Sequence, residues 1–384
     1  MTRIIPLLLL LAGISFSAAA QAANQDQGEI IAHQSLTLPP PPAQTRMQLS
    51  VTMDQRPWLL ELSDNTLLLN RLPTSLRQQL QMSGQRYLAG RVAGVNNSWA
   101  RLWWDGRQWS GGFYADGALW LIESHSAVAG LLTRNSAAAG DHVLFRYADL
   151  RLPWRFDDSG EDTFEPTDAD AFFDHLHSQL GGDLEQLRLT IVTDTQFNGI
   201  HGANTAGVVA GRINFIDGIY TAQVGVTLAL FHLEQLTSNG TMTATDSATL
   251  LNQFRTFMTT GNGSSIPRDG VSHLFTGRDM DGSTVGRAYL GVLCSNSFGY
   301  GINQQFGSST IAALIVAHEL GHNFDAPHDG EDECVNEPFN GIMNPSINGS
   351  TQFSDCSLVQ MANEVASANC LIPVQQTIYS DGFE

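Results

Sequence analysis

Between Met47 and about residue 153, apolar and polar positions alternate in short runs broken by turn residues, as in 88-LAGRVAGV-95, 99-WARLWWDGRQWSGGFYADGALWLIES-124 and 143-VLFRYADL-150. A period of two marks strands with one buried face. Asp105-Gly106 and Asp116-Gly117 each separate two such runs, a hairpin signal. The pattern predicts a small antiparallel β domain over 47–153, with tryptophans as its large core residues.

After residue 183 the pattern changes. Apolar runs at 184-LEQLRLTIVTD-194, 224-VGVTLALFHLEQL-236, 272-SHLFTG-277 and 286-GRAYLGVLC-294 read as strands, the last two flanking a turn at 279–283. Helical spacing is seen at about 204–221, at 247–260 and, in a stretch of small and apolar residues, at 308–322. Strands alternating with helices predict an α/β unit, a mixed sheet covered by helices, over 183–372.

The remaining segments are of other kinds. Residues 1–22 carry one arginine, an apolar run from Ile4 to Leu11 and small residues ending in Ala20-Gln21-Ala22, the form of a cleavable export leader. No later stretch is long and apolar enough to anchor the chain in a bilayer, so a secreted or periplasmic protein is expected. Residues 23–46 form a polar, proline-rich lead that reads as a loose linker. The linker 154–182 contains 157-DDSGEDTFEPTDAD-170, seven carboxylates without a base, which reads as a solvated strap followed by a short helix at 169–180. Residues 373–384 are a tail ending in TIYSDGFE.

Composition narrows the partners. The 19 basic residues are all arginines and the net charge is -19, which disfavours nucleic acid and anionic membranes. All 7 tryptophans lie before residue 155, and the 4 cysteines (Cys294, Cys334, Cys356 and Cys370) lie in the second half. Halves so different in content suggest two separately packed units. Four cysteines in an exported chain imply two disulfides, with three pairings open.

The chemistry concentrates in 318-HELGHNFDAPHD-329. His318 and His322 are one helical turn apart and share a face, so both imidazoles can reach one metal. His328 is the natural third ligand once the chain reverses after the helix, and three protein ligands with an open position suit a catalytic zinc. Glu319, beside the first ligand, can reach a water on the metal rather than the metal itself. Asp325 sits where the reversal would most easily use glycine. Asp329 follows the third histidine, and Met343 lies in the turn-like segment Gly341 to Ser346.

These residues resemble the metzincin zinc proteases, within them the adamalysin or reprolysin group, whose pattern HExxHxxGxxHD is met by His318, Glu319, His322, His328 and Asp329, with Met343 as the Met-turn methionine. The likeness extends to 187-LRLTIVTD-194, 273-HLFTGRDMDGSTVGRAYLGVLCSNSFG-299 and 353-FSDCSLVQMANEVASANCL-371, and more loosely to the family's propeptide in 89–104 and 111–123. It implies a zincin fold with a largely parallel mixed sheet. It also implies a zinc-dependent endopeptidase in which Glu319 is the general base, and polypeptide substrates lying along an edge strand at Ala288, Tyr289, Leu290 and Gly291, where small residues leave room for substrate side chains. The nested disulfides Cys294–Cys370 and Cys334–Cys356 follow from the resemblance as well, as does an N-terminal prodomain acting as intramolecular inhibitor of a monomeric enzyme.

Departures from the family pattern carry consequences. Asp325 replaces the pattern's glycine, as either a tolerated left-handed residue or a partner of a ligand imidazole. With no cysteine in the N-terminal half, a thiolate cannot silence the zinc, so inhibition would rest on the β domain packing against the cleft or on another ligand. Arg188 stands where many members have a calcium-binding glutamate, which argues against carrying calcium over. A zinc amidase acting on cell-wall or other non-protein material, and a catalytically inactive zinc-binding adhesion protein, are the competing functional readings.

Overall fold

A computed structural model of the chain describes residues 28–53, 55–132, 140–152, 184–338, 341–346, 350 and 352–374. The expected leader at 1–22, the acidic linker with its helix at 154–182 and the tail from 375 onward lie outside those residues.

The N-terminal part is an antiparallel sheet. Its chain order is β1 (Glu29–Ile30), β2 (Gln34–Leu36), β3 (Arg46–Met53), β4 (Arg56–Asp64), helix α1 (Thr74–Met82), β5 (Arg86–Val92), β6 (Trp99–Trp104), β7 (Trp109–Ala115), β8 (Ala118–Ser124), β9 (His142–Arg146) and β10 (Leu150–Arg151). Eight of these strands form one sheet in the order β2-β9-β8-β7-β6-β5-β4-β3, and β1 pairs with β10 apart from it. Alternation along β3 buries Met47, Leu49, Val51 and Met53 on one face. The sheet curls until its edge strands β2 and β3 come within 8 Å of each other between Cα atoms, wrapping that face around Trp58, Trp109 and Phe113. The Asp116-Gly117 turn has φ of 51° and 76°, the left-handed pair that a two-residue hairpin requires.

The lead at 23–46 departs from the loose linker expected of its composition. Ile30 is fully buried, β2 pairs with β9, and the Trp109 indole Nε1–H donates to the Pro39 carbonyl at 2.7 Å. Its strands are short, and their partners lie far along the chain, so no local pattern announces them.

The C-terminal part alternates strands and helices: β11 (Leu184–Thr193), α2 (Thr195–His201), α3 (Thr205–Gln223), β12 (Val226–Gln235), α4 (Ser247–Thr259), β13 (Val271–Thr276), β14 (Gly286–Ala288), β15 (Tyr300–Gln304), α5 (Ser309–Asn323), α6 (Asp355–Ser367) and β16 (Ile372–Val374). The sheet order is β12-β11-β13-β15-β14, with β16 added antiparallel to the start of β11. The first four strands are mutually parallel and β14 closes the edge antiparallel to β15. The strand expected over 286–294 is thus confined to its first three residues. Strand β15 was not expected, because YGINQ is poor in strand formers, yet Tyr300, Gly301, Ile302 and Asn303 are all buried. Disulfides join Cys294 to Cys370 and Cys334 to Cys356, the pairing that the resemblance implies.

The two parts are not separately packed. One apolar cluster runs from Trp99, Trp103 and Leu121 through Val209, Ile213 and Ile216 of α3 to Ile311 and Ile315 of α5. Helix α3 is buried on nearly every side from Thr205 to Tyr220, so it needs cover beyond its own sheet, and the N-terminal sheet supplies it.

Candidate metal centre

Helix α5 starts at the N-cap Ser308, whose Oγ accepts from the Ile311 N–H at 3.2 Å, and it is buried from Thr310 to Asn323. Its C-terminal end carries the motif. The Ala326 N–H donates to the Gly321 carbonyl at 3.0 Å and the Asp325 N–H to the His322 carbonyl at 2.9 Å, the paired bonds of a Schellman cap. Asp325 holds the left-handed position of that cap, with φ of 70°. This reversal brings His328 back over the helix. The donor atoms of His318, His322 and His328, all buried, then lie within 4.8 Å of one another.

The outer nitrogens orient the rings. Backbone carbonyls can only accept, so His318 Nδ1–H donates to the Ile342 carbonyl and His322 Nδ1–H to the Ala326 carbonyl, each at 2.8 Å. The Nε2 lone pairs of both rings are thereby turned inward. His328 Nδ1 meets Glu331 Oε2 at 3.1 Å. Burial, reinforced by the neighbouring imidazoles, lowers the His318 pKa well below the usual value and that of His322 to about 3, keeping both rings in the neutral form that ligates metal. His318 Nε2 and His328 Nε2 stand 3.2 Å apart, close to the ~3.4 Å edge of a tetrahedron with zinc–nitrogen arms of about 2.1 Å. The donor set therefore fits a zinc ion.

Two glycines make room around it. A Cβ at Gly286 on the edge strand would meet Glu319 Oε1 at 2.2 Å, so only glycine there lets the fully buried Glu319 carboxylate lie beside the strand. A Cβ at Gly321 would meet Met343 Sδ at 2.5 Å, so Met343, also fully buried, packs directly against the helix between the ligands. Asp329 ties the third-histidine loop to the Met turn. Its N–H donates to the Met343 carbonyl at 2.9 Å and its carboxylate accepts from the Gly341 N–H at 2.7 Å.

Asp325 resolves as a backbone position. The ring Nδ1 atoms are bonded to Ile342, Ala326 and Glu331, so the carboxylate expected as an alternative partner of an imidazole is Glu331 in its place. The Asp325 carboxylate lies instead against Gly291, where a Cβ would meet its Oδ1 at 2.4 Å.

The expected substrate strand is part strand, part staple. Ala288 ends β14; Gly291 N–H donates to the His322 carbonyl at 2.9 Å, and Val292 N–H to that of Asn323 at 3.0 Å. Asn323 Nδ2 donates to the Tyr289 carbonyl at 2.8 Å, and its Oδ1 accepts from the buried His273 ring, also at 2.8 Å. The edge is not small throughout: Leu290 is exposed, and Tyr289 packs edge-on against the exposed Phe298. Arg188, at the family's calcium position, pairs with Asp269 at 2.6 Å and donates to the Cys370 carbonyl at 3.2 Å. Gly286, Gly321, Asn323 and Glu331 were missed from sequence, although Gly321 and Asn323 lie inside or beside the histidine motif itself.

A reprolysin-type family profile described as Metallo-peptidase family M12 matches residues 183–354. Human disintegrin and metalloproteinase domain-containing protein 9 is 41% identical over 105 residues, which cover 26% of this chain and 13% of that relative. The profile spans the parallel strands, the zinc-fitting imidazoles and the Met turn together, and over these residues the chain is similar to the adamalysin/reprolysin-like metzincins of family M12.

Proposed function

We propose that the chain is an exported zinc endopeptidase that cleaves extended polypeptides. The observation that carries this reading is the inward convergence of three buried imidazoles, each held at Nδ1 by a partner, beside the buried Glu319 carboxylate. A zinc ion held by His318, His322 and His328 would supply Lewis-acid polarisation and acidify a water. Glu319, which does not belong to the ligand set, takes a proton from the attacking water and delivers it to the leaving amine. Strand β14 is the sheet edge, so its outer backbone groups can pair with a substrate added as another strand. Leu290 and Phe298 beside it offer apolar contacts to substrate side chains. The two disulfides suit an oxidising compartment, in keeping with the leader-like residues 1–22.

Purified protein is expected to carry one zinc per chain and to degrade an unfolded protein such as casein. A chelator should abolish the activity and added zinc restore it. Zinc binding at this site with no cleavage of unfolded protein would favour an amidase or a binding protein instead.

A further inference from the structure

The N-terminal sheet touches the zinc helix at the end opposite the imidazoles. Glu123, at the end of β8, is fully buried. Its Oε1 accepts from Ser308 Oγ at 2.7 Å, from the Thr310 N–H at 2.7 Å and from Thr310 Oγ1, while Oε2 accepts from Ser110 Oγ at 3.2 Å. The first-turn N–H groups of a helix have no partner within it, and a carboxylate there also meets the positive end of the helix dipole. Ser308 caps Ile311 while donating to Glu123, so the first turn of α5 is tied to a residue 185 positions earlier in the chain. At 1.5 Å per residue, this anchor is about 15 Å along the axis from His318.

The rest of the contact resembles the interior of a protein more than a removable cover. Helix α3 presents glycines at 207, 211 and 218 to the N-terminal sheet, and a Cβ at Gly211 or Gly218 would come within 2.6 Å of the Trp103 or Trp99 ring. Asn214 Nδ2 donates to the Leu102 carbonyl of β6 at 3.1 Å and its Oδ1 accepts from Asn65 at 3.0 Å. Arg101 and Asp217 form a buried ion pair at 2.9 Å. The Leu230 N–H of β12 donates to the Leu68 carbonyl at 3.1 Å. Withdrawing the N-terminal sheet would expose the glycine face of α3, break a buried ion pair and uncap α5 in one step. Interfaces of this kind, a core cut in half with buried polar anchors, belong to obligate assemblies.

We propose that the N-terminal sheet is a permanent half of the working enzyme rather than an inhibitor released from the cleft, and that Glu123 is a positioning residue through which it holds the zinc helix. The inference rests on the protease reading for its activity readout alone. It departs from the inhibitor expected by resemblance, because the contacts named lie on α3, on β12 and on the first turn of α5.

The test uses the full chain with a site-specific protease sequence inserted between residues 153 and 183. After cutting, the two pieces are expected to co-elute in native buffer, to unfold in a single transition, and to retain zinc and the activity of the uncut chain. An N-terminal piece that elutes alone, leaving a remainder that keeps zinc and turns over faster, would overturn the proposal in favour of a removable inhibitor. In the uncut chain, Glu123→Ala is expected to lower the melting temperature and kcat and to alter the visible absorption of cobalt-substituted protein, with little change in KM. Glu123→Gln keeps an acceptor for Ser308 and Thr310 and should restore all three. A Glu123→Ala protein with parental kcat and cobalt spectrum would remove the positioning role. If neither the intact chain nor the cut pieces, together or separated, cleave protein while zinc is bound, the protease reading fails, and co-elution and the cobalt spectrum still decide this one.

Discussion

The two ends of the zinc helix are held in different ways. At the C-terminal end the imidazoles are fastened by the chain that follows the helix, through the Schellman cap at Asp325, the Ile342 and Ala326 carbonyls on the rings and Met343 against Gly321, while Gly291 and Val292 staple the last turn to the edge of the same sheet. At the N-terminal end the fastening is Glu123, brought in by a different sheet. The chemistry is thus local and the positioning is remote. Motif-based reading sees the first end and is blind to the second.

The largest effect is expected at the chemical end. Glu319→Ala should retain zinc and lose roughly 10² to 10⁴ in turnover, the range for a group that transfers a proton. Metal analysis beside peptide turnover checks it, and near-parental activity would rule out Glu319 as the base.

Next is Gly286→Ala. The added Cβ would sit 2.2 Å from Glu319 Oε1. Displacing the carboxylate should cost on the order of 10- to 100-fold in kcat, since small misplacements at a reacting centre cost up to that much. Zinc content should be unchanged. An unaffected kcat would mean that strand β14 shifts to absorb the methyl group.

The remote end responds through stability and pH. Burial pushes the Glu123 carboxyl up, against the lowering effect of its bonds to Thr310, Ser308 and Ser110. A carboxyl whose folded-state pKa is raised contributes stability that is fully present below the unfolded value and is lost as pH rises through the folded one. Glu123→Gln has no charge to bury, so its melting temperature relative to the parent should climb as pH rises above the ordinary carboxylate range. A pH-independent difference would show that the hydrogen bonds offset burial completely.

The smallest effect belongs to Asp325. At φ of 70°, glycine is relaxed and aspartate mildly strained, so Asp325→Gly should raise stability by up to about 1 kcal/mol while leaving turnover within a few-fold. Asp325→Val, β-branched, should lose both stability and activity. Thermal melts and zinc titrations of the pair separate the cases, and a loss of zinc affinity in the glycine variant would give the carboxylate a part in the site.

Legibility followed the range of the interactions. The hairpin at Asp116-Gly117, the strand β11 and the helices α4 and α5 were readable because period and turn chemistry are properties of adjacent residues. Strands β1 and β2 and the buried β15 were not, because the first two are short and pair with partners far along the chain, and the third mixes Tyr300 and Ile302 with glycine and amide residues that favour turns. Helix α3, which has no polar face, was recognised as a helix, but its neighbours were not. A helix without a polar face declares that it is covered and leaves open by what.

By itself, the sequence determined that His318, His322 and His328 can converge on one side of the helix, that Glu319 lies beside them, and that residue 325 must be left-handed. These follow from helix periodicity and from the few backbone conformations that can return a chain to its own helix within six residues. Tertiary structure alone decided that Gly286 clears space for Glu319 and that Glu123 caps the zinc helix. Each of these depends on side chains meeting across elements whose mutual placement is set by packing of the shared core, and no spacing along the chain encodes that distance.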